Sequence, residues 1–494
     1  MIQHGATGHQ KLLAALLGAS LLAACAAPQE PMAVASSGTV IRNVTVVDTR
    51  DGVLLPGQTL LLDGGKIVRI VSGAVRVEGT AREIDASGKF VVPGYLDMHT
   101  HALLTASKPA AVAWPMLVAN GITGVREMAG SAQLIQLAHA LNADSAAGKL
   151  TAPEILAVPG DILAAPLTPE QAVQRVRQQK QMGADFIKVA GGNHDGTLAV
   201  LDEAHIQGLT VSGHMPLALQ AATAADAGWR AIEHLGSGLG MVLGCSTAED
   251  AVRSALLHGE GAAPPPPAAM PLAIVSPMLF RAADAPFYQK AMDGYSEEKC
   301  TALARRFAQR GTWQVPTLIR LRTAAFSTAP QYREDPALVH VDKDTRALWE
   351  RLARQYETTV PTPAAATFQR YYGLQRQLVG LLARNGVKMM AGSDLGGIWV
   401  IPGVSLHQEF GELAAAGLTP LQILQMTTLN GAEFLHREAE MGTVEAGKNA
   451  DLVLLSANPL ADVSNLSRIS AVVLKGRYLD QKALDALKVS SSAP

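Results

Sequence analysis

About eight times between residues 93 and 437, a short strand-like run is followed by a stretch of helical character. The runs are "GYLDMH" (94–99), "GITGVREM" (121–128), "EILAVPG" (154–160), "ADFIKVAG" (184–191), "LTVSGHM" (209–215), "RAIEHLG" (230–236), "TWQVPTLI" (312–319) and "VKMMAGSD" (387–394). Between them lie segments such as "TPEQAVQRVRQQKQMG" (168–183) and "LDEAHIQG" (201–208). Repeated strand–helix alternation predicts parallel strands joined by crossover helices, and eight such units predict an α/β fold of the (β/α)8 TIM type. The alternative is an open doubly wound sheet. That fold usually begins with a glycine-rich phosphate loop after its first strand, and none follows "GYLDMH".

The two ends of the chain have another character. "TVIRNVTVVDTRDGVLLPGQTLLLDGGKIVRIVSG" (39–73) alternates apolar and polar residues, with "DGG" as a hairpin turn. "GTVEAGKNADLVLLSANP" (442–459) and "ISAVVLKGRYL" (469–479) share that pattern. Together they predict a small β-sandwich domain assembled from residues 39–92 and 438–486. It brackets a barrel spanning 93–437, which carries a long Pro-rich insertion at 240–300.

Composition removes one class of function. Aromatics are only 4% of the 494 residues, and 41 Lys and Arg against 43 acids leave a formal charge of −2. Stacking platforms and a basic footprint are both missing, so nucleic acid is not an expected partner. At the N-terminus, Lys11 precedes the apolar run "LLAALLGASLLAA" (12–24), too short to span a bilayer comfortably. It ends in "LAAC" (22–25), which resembles the bacterial lipobox. That resemblance implies a signal peptide over 1–24, lipid on Cys25, a tether over 25–38, and an exported, membrane-anchored lipoprotein facing the periplasm. An ordinary cleaved signal peptide is the alternative. Cys245 and Cys300 flank the low-complexity stretch "GAAPPPPAAMP" (261–271). In an oxidising compartment such a pair suggests a disulfide; two buried free thiols are the other reading.

The chemistry collects at the ends of the predicted strands. His99 and His101 close the first run two positions apart, so an extended backbone carries both to one face, roughly 6.5–7 Å apart. Alone, this pair reads more readily as a loop with two exposed histidines. The fourth run, however, holds Lys188, the fifth His214, the sixth His234 and the eighth Asp394. The C-terminal ends of barrel strands build one mouth, and imidazole is the commonest neutral metal ligand near pH 7. The six residues therefore form a candidate metal site.

Taken together, "PGYLDMHTH" (93–101), "FIKV" (186–189), "GHMP" (213–216), "IEHL" (232–235), "AGSD" (391–394) and "AGKNADLVLL" (446–455) resemble the amidohydrolase superfamily of metal-dependent hydrolases, over about 39–480. "SLHQEFGELAAAGLTPLQILQMTTLNGAEFL" (405–435) is similar to the branch that contains imidazolonepropionase and bacterial Xaa-Pro dipeptidases. The resemblance implies two divalent metals, zinc by default. His99, His101 and Asp394 would hold one, His214 and His234 the other. Lys188 would bridge them once carboxylated, because a cationic lysine has donors and no acceptor. A one-metal site over a plain Lys188 is the alternative.

The same resemblance makes Asp394 the catalytic proton shuttle and the reaction a C–N bond hydrolysis. Expected substrates are a dipeptide or N-acyl amino acid, with a cyclic amide as runner-up; a non-catalytic ligand-binding lipoprotein is the reading from another class. His407 and His194 are candidate substrate contacts, and Arg126 reads equally as structural or substrate-binding. His139, His205, His258, His340 and His436 read as surface or structural. Beyond the small-molecule substrate and the membrane, a homo-oligomer is possible.

Overall fold

A computed structural model describes residues 33–73, 75–105, 113–263, 275–277 and 280–490. Cys25, the predicted signal peptide and most of the predicted tether lie outside the described residues. The tether's last part is not loose: Ala33–Ala35 pairs in parallel with Val75–Val77. Ala33, Ala35 and Val75 are buried with Val40 and Leu61, so small and β-branched side chains hold it down.

Seven of the eight predicted barrel strands form as regular strands: Tyr95–Thr100, Ile122–Glu127, Glu154–Ala157, Phe186–Val189, Thr210–Gly213, Ala231–Glu233 and Trp313–Val315. They run parallel in two arcs, of three strands and of four. A parallel bridge between Pro159 and Phe186 joins the arcs. The eighth run, "VKMMAGSD", is extended but makes only isolated bridges, Gln314 to Met389 and Thr100 to Leu395. Met98 N–H to Ala391 carbonyl (2.9 Å), Asp394 N–H to His99 carbonyl (2.8 Å) and His101 N–H to Leu395 carbonyl (2.8 Å) tie it to the first strand. These contacts close the (β/α)8 barrel.

Local signals set the connecting helices. Pro169–Met182 starts at Thr168, whose hydroxyl accepts from Gln171 N–H while the Gln171 side chain reaches back, and it stops at Gly183 at φ +86°. That combination satisfies donors at one end and carbonyls at the other. The first two barrel strands are buried on both faces, as a parallel sheet covered by helices requires. Leu96, Met98, Ala231, Trp313, Val315, Met390 and Phe434 form one cluster, with Leu435 packed against it. Leu435 also packs on Met128, Ala157 and Phe186. A residue touching strands on both arcs plugs the barrel interior.

Strands from both chain ends hydrogen-bond into one continuous eight-stranded sheet. The path runs Arg477–Asp480, Ile469–Leu474, Leu452–Leu455, Phe90–Pro93, Thr39–Val47, Leu54–Asp63 and Lys66–Ser72, with Arg82–Asp85 also paired to Thr39–Val47. Leu452, Leu454, Val91, Ala471 and Val473 bury on one face. The alternate residues Val453, Leu455 and Val92 join the barrel's main core. The chain passes from sheet to barrel at Gly94, where a Cβ would lie 2.0 Å from Thr123 Oγ1; only glycine allows that approach.

The insertion after the sixth strand is built on helices Gly240–Gly244, Glu249–Leu257 and Ala285–Asp293. Cys245 and Cys300 are bonded as a disulfide, with Cα atoms 4.6 Å apart, and both are buried. The bond closes a loop with a sequence separation of 55, and chain entropy alone makes that worth about 4 kcal/mol. A Cys245→Ser/Cys300→Ser variant is expected to lose stability of that order in urea unfolding under oxidising conditions. It should match the reduced wild type; equal stability of oxidised wild type and variant would exclude a stabilising bridge.

Candidate metal centre

His99 and His101 reach the same side of the first strand, with ring centroids 5.5 Å apart. Both present Nε2 to one oxygen, Asp394 Oδ1, at 3.3 and 3.4 Å. Asp394 comes from the eighth segment and sits at φ +55°, a conformation costly for any residue with a side chain. Asp97 helps impose it: its carboxylate accepts from Ser393 N–H at 2.9 Å and Ser393 Oγ at 2.5 Å. One donor atom from each of His99, His101 and Asp394 falls within 4.8 Å of the others. This group could hold a metal ion.

The hydrogen bonds behind the histidines fix which nitrogen is available. His99 Nδ1 lies 2.7 Å from Glu233 Oε2. A carboxylate only accepts, so Nδ1 donates to Glu233, and Nε2, buried without a hydrogen-bond partner, is the ring atom turned towards Asp394. Glu233 is held in turn by Arg126 Nη2 at 2.6 Å. Burial pushes the Glu233 carboxyl up, but Arg126 and His99 outweigh it and bring it down to about 2. Carboxylate–histidine relays of this kind orient metal ligands and raise their basicity. For His234, Nδ1 meets Thr317 Oγ1 at 2.5 Å, and that hydroxyl donates to the Pro316 carbonyl at 2.8 Å. Thr317 therefore accepts from Nδ1–H, leaving His234 Nε2 directed at Asp394 Oδ2, 3.8 Å away.

The remaining predicted ligands gather beside this group. The His234 ring lies 4.4 Å from His99 and 5.0 Å from His214, centroid to centroid. Burial holds both His214 and His234 well below the usual imidazole range, so both are neutral, as ligands must be. Lys188 is 2% exposed, and its Nζ has no hydrogen-bond partner among the described residues. Burial draws its ammonium down to about 8. The unpartnered Nζ lies close enough to His214 and His234 to act on their charge.

His407 stands elsewhere. Its Nε2 is 2.9 Å from the Asn120 carbonyl, and its ring packs edge-on against Tyr95 and Phe410. Tyr95 opens the strand that His99 closes, so His407 packs towards the opposite end of the barrel from the six-residue group. His194 is half-exposed and pairs with Asp195 at 2.8 Å, at the start of helix His194–Ile206. No contact joins it to the six-residue group. Arg126 resolves as structural, since its Nε also donates to the Met98 carbonyl at 2.7 Å.

Glu233 and Arg320 escaped the sequence reading. Glu233 adjoins His234, but its link to His99 crosses between strands distant in sequence. Arg320 Nε lies 3.4 Å from Asp394 Oδ2, and nothing local in "TLIRLR" marks it. A third, Glu409, accepts from Ile319 N–H at 2.7 Å and secures the helix that carries Arg320. A cavity of about 540 Å³ lies between the loops after the fifth and sixth strands and the insertion. Met215, Pro216, Ser237, Leu243, Leu256 and Tyr288 line it, while none of the six candidate ligands does.

Residues 339–479 match the sequence model of the amidohydrolase family. Among curated proteins, the 5'-deoxyadenosine deaminase of Methanobrevibacter smithii is 39% identical over 70 residues, 14% of this chain and 16% of that protein. The adenine deaminase of Desulforamulus reducens is 34% identical over 119 residues, 21% of this chain and 19% of that one. The chain thus matches less than a fifth of either relative's length. Among solved structures, a bottromycin amidohydrolase aligns over 92% of this chain and 90% of its own, at 21% identity and TM-score 0.67. A Xaa-Pro dipeptidase with methionine in its active site aligns over 90% and 100%, at 19% identity and TM-score 0.59. At such identities the likeness is one of fold. Residues 339–479 thus resemble the amidohydrolase family in sequence, and the chain shares its fold with solved amidohydrolases.

The Glu233 relay makes a measurable claim. Glu233→Gln keeps the shape but removes the charge that fixes the His99 tautomer, so divalent-metal affinity is expected to fall about 10–100-fold, read by competition with a chromogenic chelator. Unchanged affinity would show that His99 is oriented without it.

Proposed function

We propose that this chain is a metal-dependent hydrolase of an amide or peptide bond in a small molecule such as a dipeptide or an N-acyl amino acid. The observation that carries the reading is the convergence of His99, His101 and Asp394 on one buried point, with His234 alongside. We take His99, His101 and Asp394 to hold one cation and His214 and His234 a second. Lys188 would serve as a ligand to both once its neutral Nζ has added to carbon dioxide and released a proton, forming a carbamate. Bound there, divalent metal, zinc by default, supplies polarisation of the scissile carbonyl and a lowered pKa for water.

The chain's own groups do the rest. Asp394 takes a proton from the attacking water as the new C–O bond forms, then delivers it to the nitrogen as the C–N bond breaks. An amine anion leaves badly, so this transfer decides the rate. Thr317 and Glu233 keep His234 and His99 aimed while charge moves. The 540 Å³ cavity is of a size that takes small-molecule ligands and offers room for an apolar substituent. The solved dipeptidase likeness favours a linear substrate with a free carboxylate. A cyclic amide is the second reading, from the resemblance to the imidazolonepropionase branch. The "LAAC" stretch supports export and anchoring through lipid on Cys25, where Cys25→Ser should yield soluble protein.

His101→Ala is expected to lose metal and activity together. Lys188→Ala should deplete chiefly the second metal, by elemental analysis of purified protein. Asp394→Asn should lower turnover about 100-fold or more in a screen of dipeptides and N-acyl amino acids. One metal per wild-type chain with fully active Lys188→Ala would overturn the bridged pair. Near wild-type turnover by Asp394→Asn would overturn the proton shuttle. Efficient cleavage of esters but of no amide would overturn the C–N assignment.

A further inference from the structure

The cavity of about 540 Å³ begins where two of the candidate ligands leave their strands. Met215 and Pro216 directly follow His214, and both line it. Ser237 lines it too, with its N–H on the His234 carbonyl at 3.1 Å. The two loops touch, since a Cβ at Gly236 would lie 3.9 Å from the Met215 Cβ. Tyr288 faces them from the insertion. It is 4% exposed, and its ring stands edge-on to those of Phe280, Phe368 and Tyr371, with centroids 5.9, 5.2 and 4.7 Å away. Its hydroxyl has no hydrogen-bond partner among the described residues. A Cβ at Gly238, just beyond His234, would lie 3.7 Å from that oxygen. Three rings therefore hold the tyrosine, and its free hydroxyl meets the loop that leaves the site.

Charge in this lining is one-sided. Arg253 and Arg281 face the cavity, and Asp284 is the sole carboxylate among the described lining residues. Asp284 is committed: it accepts from Arg281 Nε at 2.9 Å and from Ala262 N–H at 2.8 Å. Arg253 draws on Glu249 at 2.8 Å, which does not line the cavity, and donates to the Leu217 carbonyl. The sequence holds no acidic residue between Glu260 and Asp284. Leucines make up much of the rest of the wall. Such a cavity suits an uncharged, largely apolar group with one hydrogen-bonding atom. It does not suit an ammonium, which has donors only and is strongly disfavoured where no carboxylate pairs it.

We propose that this cavity is the acyl pocket, and that it selects N-acyl amino acids with a large uncharged acyl group over free dipeptides. The inference rests on the C–N hydrolase reading and deepens it. Asp394, which delivers the proton to the leaving nitrogen, stands on the eighth segment. The leaving half lies with it, while the cavity opens beyond the ligands of the fifth and sixth strands and so receives the acyl half. A free dipeptide carries its α-ammonium on that half; an N-acyl amino acid does not. Water adds across the C–N bond, giving the carboxylic acid of the acyl group and the free amino acid. The Tyr288 hydroxyl bonds a neutral polar atom of the acyl group, such as the carbonyl of a blocked residue.

The test measures release of leucine by metal-loaded protein from 3-phenylpropanoyl-L-leucine, L-phenylalanyl-L-leucine and N-acetyl-L-leucine. The first two differ only in the α-ammonium, the first and third in the size of the acyl group. Wild type should prefer the first over each of the others by about 10-fold or more in kcat/KM. Leu256 lines the cavity from helix Glu249–Leu257 and is half-buried, so Leu256→Trp should fill the space. The preference for phenylpropanoyl over acetyl should then collapse to within about threefold of unity, whatever happens to the absolute rates. Tyr288→Phe should lower kcat/KM for N-acetyl-L-phenylalanyl-L-leucine about fivefold more than for 3-phenylpropanoyl-L-leucine, which has no atom to meet the hydroxyl. A wild type that cleaves the dipeptide as well as its des-amino analogue, or a Leu256→Trp that keeps the size preference, would overturn the proposal. Equal losses in Tyr288→Phe would overturn the role of the hydroxyl. If wild type cleaves none of these compounds, the C–N reading fails for this substrate class. Calorimetry then still decides the pocket: tighter binding of the phenylpropanoyl compound than of the other two, lost in Leu256→Trp, supports it, and equal binding overturns it.

Discussion

The buried ion pair between Arg126 and Glu233 governs the rest of the molecule. Arg126 leaves the second strand and Glu233 the sixth, so their 2.6 Å contact spans the barrel interior beneath the site. Both side chains are fully buried, and removing one partner of such a pair typically costs about 3–5 kcal/mol. The arrangement holds because every element has a further use. Arg126 also binds the Met98 carbonyl and lies over the rings of Phe186 and Phe434 at 5.6 and 5.1 Å. Glu233 spends its second oxygen on His99. A single charge pair thus braces the barrel and selects the tautomer of a candidate ligand.

From this brace the site is assembled outward by backbone strain. His234, Thr317 and Asp394 all lie at φ between +45° and +55°, in a region that side chains rarely occupy. Each conformation is held by a specific bond: Thr317 to His234, Pro316 to Thr317, and the His99 carbonyl to Asp394 N–H. Strain concentrated at the strand ends is the pattern expected where geometry serves chemistry. The surrounding strands, buried on both faces, supply the rigidity that preserves it.

Much of this was legible before any coordinates. The eight runs, the two-ended sheet and the six strand-end residues all depend on local pattern, and the structure brings those six together. The bridging cysteines were readable because they bracket one compositionally odd stretch. What stayed hidden depends on contacts between distant segments. The link from Glu233 to His99 joins residues 134 positions apart, and Arg320 meets Asp394 only once the barrel closes. His407 misled for the opposite reason: its place in the sequence is close to Asp394, yet helix Val404–Ala415 turns it towards Tyr95 and the far end of the barrel. The strand at Ala33–Ala35 was masked by a composition that resembles a linker.

A loosely laddered seam of the barrel runs beside the candidate metal group. The eighth segment makes isolated bridges and not a full ladder, and it alone supplies Asp394, while His99 and His101 belong to the strand across the seam. An ion shared by these three would act as a clasp between the first and last strands. Occupancy of the site and circular closure of the barrel then become one linked equilibrium, in which binding stabilises the closed ring in proportion to its own free energy. A cation held there would fasten the cylinder.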